Sequence, residues 1–189
     1  GDKQGRIIHV DPSRDLRNVI AECKAWDIVE IAPGTYDAYL QFNVKHLTVR
    51  AAKTVANPNP YQAAHTVTIT TPEAFPVLEV NASDCKIQGI HLQGRDNPHP
   101  TVVVNSGSIK FQDCNVTGTQ CGVQVHPGAM VVMENCRTAD CVRGAGMRFS
   151  DHAMGHIIKS VFTNNKIGVQ LAGSHCNPWF GKCKIVRNR

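Results

Sequence analysis

The chain has 189 residues, 42% hydrophobic and 19% charged, proportions ordinary for one folded domain, which sets aside wholesale disorder. Twenty Lys plus Arg against fifteen Asp plus Glu give a net charge of +5, but no long basic run forms a phosphate-tracking stripe, so nucleic acid is not indicated as a partner. No apolar stretch approaches the ~20 residues that span a bilayer, and no membrane partner is expected.

The sequence opens on Gly1-Asp2-Lys3 without an initiating Met and reads as a piece of a longer protein. In Ser13-Arg-Asp-Leu16-Arg-Asn-Val19-Ile20-Ala-Glu-Cys23 the apolar residues recur at helical spacing, with Ser13 as the expected N-cap. The boundaries expected are an N-terminal strand and capping helix over 1–26 and a repetitive β domain over 27–189 that continues past the last residue. A turn and a strand follow within Trp26-Asp-Ile-Val-Glu-Ile-Ala32, then Pro33-Gly34-Thr35-Tyr36. Two Pro-rich insertions, 53–65 and 94–100, are expected at corners of the repeat.

From residue 78 onward the chain repeats itself. Ile87, Phe111, Met133, Ile158 and Phe180 each begin a segment with apolar or small residues at i, i+3 and i+5, at offsets of 24, 22, 25 and 22 residues. A second series, Leu78/Val80, Val102/Val104, Val123/Val125, Met147/Phe149 and Val169/Leu171, alternates like a half-buried strand and has the same period. Gly94, Gly118, Asp140, Asn165 and Asn188 supply turn residues. Units this short cannot bury their own apolar face, but stacked units can. The expected fold is all-β: a single-stranded right-handed parallel β-helix of about seven rungs of 21–25 residues, capped by the N-terminal helix, with Phe111, Met133 and Ile158 as vertical neighbours.

Cys114, Cys136 and Cys183 share the i+3 site that Ile90 and Val161 fill in other rungs, so they read as small core residues with reduced thiols. Reduced thiols imply a cytoplasmic or nuclear protein. Two Cys/His groups, His175-Cys176 with Cys183 and Cys121 with His126 and Cys141, lack zinc-ligand spacing, so neither metal nor cofactor is expected. Asn81-Ala-Ser83 and Asn115-Val-Thr117 match the glycosylation acceptor by chance.

The helix, turn and Pro-Gly-Thr-Tyr start resembles the cap and first rung of the pectin-lyase-like superfamily of right-handed β-helices. That resemblance implies chemistry on the outward face of one sheet, with paired carboxylates for hydrolysis or calcium-binding acids and a base for lyase action. The strand Gly122-Val-Gln-Val125 resembles that sheet. Its outward residues in successive rungs are Glu79, Val103, Gln124, Arg148 and Gln170, of which one is acidic. Asp84 and Asp151 lie at corners three rungs, or ~14 Å, apart, too far for either hydrolytic geometry. Asp113 and Glu134 are closer, but Glu134 beside Lys159 reads as a solvated ladder. No catalytic residue is assigned, and the chain is not expected to be an enzyme.

The stretch from Gly122-Val-Gln-Val-His126-Pro-Gly128 to Met133-Glu-Asn-Cys136 is similar to repeats of eukaryotic intracellular β-helix proteins, among them β-helix F-box proteins and the SHC SH2-domain-binding protein family. This resemblance implies a non-catalytic scaffold that binds another protein. Its expected contact surface is Glu79, Gln124, His126, Arg148, Asp151, His152 and Gln170. The alternative is a domain that binds or cleaves polysaccharide. Such a domain needs exposed aromatics to stack on sugar rings, and none recurs along the Gln124 face, which leans the sequence away from sugar.

Overall fold

The computed structural model describes residues 5–53, 66–71 and 74–189. Among them the chain winds as a parallel β-solenoid of three sheets, every strand pair parallel and each strand hydrogen-bonded to its counterparts one turn away. An eight-stranded sheet begins at Ile7–Val10 and ends at Asn177–Gly181. A seven-stranded sheet runs from Gly34–Asp37 to Lys184–Val186, and a six-stranded sheet from Leu40–Phe42 to Ile167–Leu171. About seven turns result, as the repeat predicts. The insertion at 53–65 falls, from residue 54 on, outside the described residues.

The fold forms because each turn places its apolar residues inward in vertical register. Leu78, Val102, Val123, Met147 and Val169 form one column, and Ile87, Phe111 and Met133 another. The side chains inside are almost all fully buried, so burial of apolar area drives the stacking.

The second column corrects the sequence reading by one residue. Ile157, not Ile158, lies over Met133, while Ile158 pairs with Glu134 and faces outward. Two adjacent isoleucines make either choice plausible from the sequence. The strand also hides its inward side, because inward Gly155 carries no apolar signal. A Cβ there would meet the Phe149 ring at 2.7 Å, so the phenyl group fills that space. The slip carries to the corner: Ser160 rather than Val161 stands level with Cys136, whose N–H donates to Ser160 Oγ at 3.1 Å.

The helix also starts later than expected. It spans Leu16–Ala21 with Asp15 as N-cap, whose carboxylate accepts from the Asn18 N–H at 3.2 Å. Ser13 instead donates its N–H to Asp11 Oδ1, so Asp11 holds it in the turn that precedes the helix. Leu16, Val19 and Ile20 are buried, and the helix lies against the strand Leu40–Phe42.

Candidate functional site

Glu79, Val103, Gln124, Arg148 and Gln170 do form one outward column on the six-stranded sheet. The centre of that column is not open, however. Val103 and Gln124 are each only 8% exposed, and the Gln124 amide donates to Ser150 Oγ at 3.0 Å. Glu79 accepts from Gln41 Nε2 at 3.3 Å and from the Tyr39 hydroxyl. Gln124 was expected as a contact residue; burial removes most of what it could offer. Arg148 is exposed and Gln170 half-buried. His126, Asp151 and His152 sit at the next corner, His126 one turn before the other two.

The eight-stranded sheet presents a different outward face. In register across it stand Ile7, Ile28, Thr48, Lys86, Lys110, Val132, His156 and Trp179. Two cavities lie along this face. One of about 400 Å³ is lined by Ile7, Trp26, Ile28, His46, Asp84 and Lys86. The other, about 360 Å³, is lined by Asp84, Lys86, Ser108, Lys110, Met130 and Val132. They share Asp84 and Lys86, so together they make a groove along the solenoid axis. At one end Trp26 stacks on His46, centroids 3.8 Å apart. Beyond the other end Trp179 stacks on His156 at 4.6 Å and is 54% exposed. A Cβ at Gly181 would meet the indole at 2.2 Å, which is why glycine stands beside it.

The aromatic signal is therefore present on a face the sequence reading did not test. Of the other aromatics, Phe162 is fully buried and Phe180 packs edge-on to Phe149 and Phe162. Tyr39 stacks on Phe75, and Tyr61 lies outside the described residues. Two exposed indoles could have been found by asking which sheet face each Trp occupies.

The acids weighed for catalysis are engaged. Glu134 lies 3.3 Å from Lys110 rather than beside Lys159, and Asp113 accepts from Asn135 Nδ2 at 2.8 Å. All eight thiols are free, five of them buried. Burial pushes Cys23 and Cys85 up to about 11 and Cys121 and Cys141 up to about 12, so these four are poor nucleophiles at neutral pH. The two Cys/His groups do not converge. Cys176 and Cys183 aim their thiols at the carbonyls of Ser150 and Ile157. Asp151, His152 and His175 do converge, with ligand atoms within 4.8 Å of one another. Their sequence separation hides this, since one turn of the solenoid lies between His152 and His175. Of the glycosylation-pattern residues, Asn115 is buried and Asn81 is bonded to Asn43 and Asn105.

Residues 101–189 match the family model described as the right-handed beta helix region. No curated protein matches the chain in sequence. Among solved structures, the pectate lyase Pel9A superposes over the whole chain with a TM-score of 0.79 at 14% identity, and the chain spans 55% of that lyase's length. The pectin methylesterase from Aspergillus niger matches at a TM-score of 0.47 and 14% identity, over the whole chain and 86% of the esterase, too loose a likeness to carry an argument. At these identities the likeness is one of fold, and the fold is a right-handed parallel β-helix.

Proposed function

We propose that the chain is a binding module whose eight-stranded face takes an extended acidic polysaccharide along the groove between Trp26 and Val132. The carrying observation is the pair Lys86 and Lys110, in register on adjacent strands of the groove floor. Like charges directly opposite each other destabilise a sheet, and only Lys110 has an acidic partner, Glu134, among the described residues. A carboxylate of the ligand lying between the two ammonium groups would relieve that repulsion.

The groove's shape and lining support a glycan over a peptide strand. Along the groove the backbone donors and acceptors of the sheet are already used by neighbouring turns, so a peptide strand laid there finds no edge to pair with. Side chains of Asp84, Lys86, Ser108 and Lys110 remain to meet ligand hydroxyls and carboxylates. The indole of Trp26, lining the groove's end, offers a π surface to the C–H face of a sugar ring. Pectate-type polyuronate is the substrate class suggested by the fold likeness. This reading takes the polysaccharide alternative over protein recognition because the Gln124 face is closed at its centre. It assigns binding and not turnover. Buried thiols acting as core residues report packing rather than a compartment.

The test is affinity electrophoresis and calorimetry on polygalacturonate and on an uncharged glucan. Binding to the acidic polymer alone, weakened about tenfold or more by Lys86→Glu with Lys110→Glu and eased by added salt, is the expected result. Equal affinity in the charge-reversed protein, or no binding to any acidic glycan, would overturn it.

A further inference from the structure

We propose that Asp151, His152 and His175 form a binding site for a divalent transition-metal ion of the zinc type at the corner that leads from the six-stranded to the eight-stranded sheet. The site is independent of the glycan groove. Asp151 and His152 follow the strand Ala145–Phe149, and His175 occupies the same corner one turn later. Asp151 Oδ2 lies 3.3 Å from His152 Nδ1, and its Oδ1 lies 3.8 Å from His175 Nδ1. Around a tetrahedral ion with bonds of ~2.1 Å, ligand atoms sit about 3.4 Å apart. Each carboxylate oxygen thus stands near ligand spacing from one imidazole, so a carboxylate that binds through both oxygens, or turns slightly to offer one, can share an ion with both rings.

Local structure holds the carboxylate in place. A Cβ on Gly173 would meet the Asp151 backbone nitrogen at 2.5 Å, so only glycine lets the later turn come this close. That approach brings Ser174 Oγ to donate to Asp151 Oδ1 at 3.0 Å. Both histidines have left-handed backbones, φ 57° and 59°, at a corner where the preceding turn uses Gly128.

The donor set selects the ion. Two imidazoles and one carboxylate suit zinc and its first-row neighbours, whereas calcium asks for six to eight oxygens. Cys176 is not a ligand, because its thiol is turned to the Ser150 carbonyl at 3.0 Å. The two rings stack 4.8 Å apart at 16°, and both must swing to bring their nitrogens to one ion. They are free to do so, with side chains 64% and 72% exposed. Water completes the coordination of a site this open.

The experiment titrates the reduced full chain with Zn²⁺ against a chromophoric chelator, and with Co²⁺ followed by its visible absorption. One equivalent should bind, and His152→Ala, His175→Ala and Asp151→Asn should each weaken it about tenfold or more. His126→Ala and Cys176→Ser should leave affinity unchanged. The proposal is overturned if the double variant His152→Ala with His175→Ala keeps wild-type affinity. It is overturned equally if wild type binds no ion at micromolar concentration, or if Cys176→Ser alone abolishes binding. Circular dichroism of each variant separates loss of a ligand from loss of the fold.

Discussion

Two inside corners of this solenoid use the same backbone device and fill it differently. At the corner from the eight- to the seven-stranded sheet, Asp113, Asn135 and Lys159 take left-handed φ, and the next residue, Cys114, Cys136 or Ser160, points inward. At the corner from the seven- to the six-stranded sheet, Asp140, Asn164 and Arg187 take left-handed φ, followed by Cys141, Asn165 and Asn188. Even the outer decoration repeats. Asn135 donates to Asp113 and Asn164 to Asp140, both at 2.8 Å. The inward occupants part company. A thiol mainly fills space, while the buried Asn165 amide accepts from the Cys141 N–H at 3.0 Å and donates to the Thr138 carbonyl at 3.3 Å. Asn188 repeats this one turn on, bonding the Asn165 N–H and the Phe162 carbonyl. The corner geometry is fixed by the left-handed residue, and the inward side chain decides whether neighbouring turns are tied by packing or by hydrogen bonds.

That distinction is broken most sharply at Asn165. Asn165→Ala leaves a buried N–H and a buried carbonyl without the partner they had, and the cost of such orphaned groups is about 3 kcal/mol in total. Urea unfolding should give that loss with an unchanged slope. A loss below about 1 kcal/mol would mean the amide column is ornamental and that packing alone joins these turns.

The amide column also marks how far the sequence could be read. Repeats of like apolar residues announced the solenoid, its period and the vertical stacking of Phe111 on Met133, because burial forces side chains of one kind into register. Asn165 and Asn188 were legible only as turn residues. Nothing in a lone Asn says that its amide faces inward, since the same residue type serves outside at Asn164. The Asp151, His152 and His175 cluster escaped for a related reason. Its members come from successive turns, and spacing rules for metal ligands are written for chains that fold back locally. The Ile157–Ile158 slip shows the remaining weakness: where an inward glycine is filled by a neighbour's ring, the period loses its marker.

A third way of closing an inward position appears at the front of the solenoid. Asp27 is 2% exposed and lies one residue before Ile28, level with Leu47 on the next turn. It accepts from the Arg6 guanidinium at 2.7 Å and from the Lys24 N–H at 2.8 Å. The Arg6 hydrogen bond chiefly holds its carboxyl below the usual carboxylate value. A depressed folded value means that the unfolded chain takes up the proton first as pH falls. The stabilisation is in full force above the ordinary value of about 3.9 and disappears as pH drops through the lower folded value. Asp27→Asn should cost about 2 kcal/mol at pH 7, and the gap from wild type should narrow as pH falls below the ordinary carboxylate value. A gap that stays constant with pH would show that the charge contributes nothing and that shape alone matters there.

The mildest change probes the thiol corner from within. Ser160 is the one hydroxyl in the column that otherwise holds Ile90, Cys114, Cys136 and Cys183, and it bridges the Cys136 N–H to the Ile158 carbonyl. Cys136 already occupies the equivalent place one turn earlier, where its sulfur lies 3.5 Å from the Cys114 N–H and 3.2 Å from the Glu134 carbonyl. Sulfur therefore meets the same two backbone groups with longer, weaker bonds and more buried apolar surface. Ser160→Cys exchanges one for the other, and the opposing terms should leave stability within about 1 kcal/mol of wild type. Ser160→Ala removes both backbone bonds with little change in size, so it isolates their contribution. If Ala stays within about 0.5 kcal/mol of wild type, the column needs only volume at this corner; if Ala is worse than wild type by about 1 kcal/mol or more while Cys is not, the thiols too act as backbone partners, and the contrast with the amide corner is one of degree.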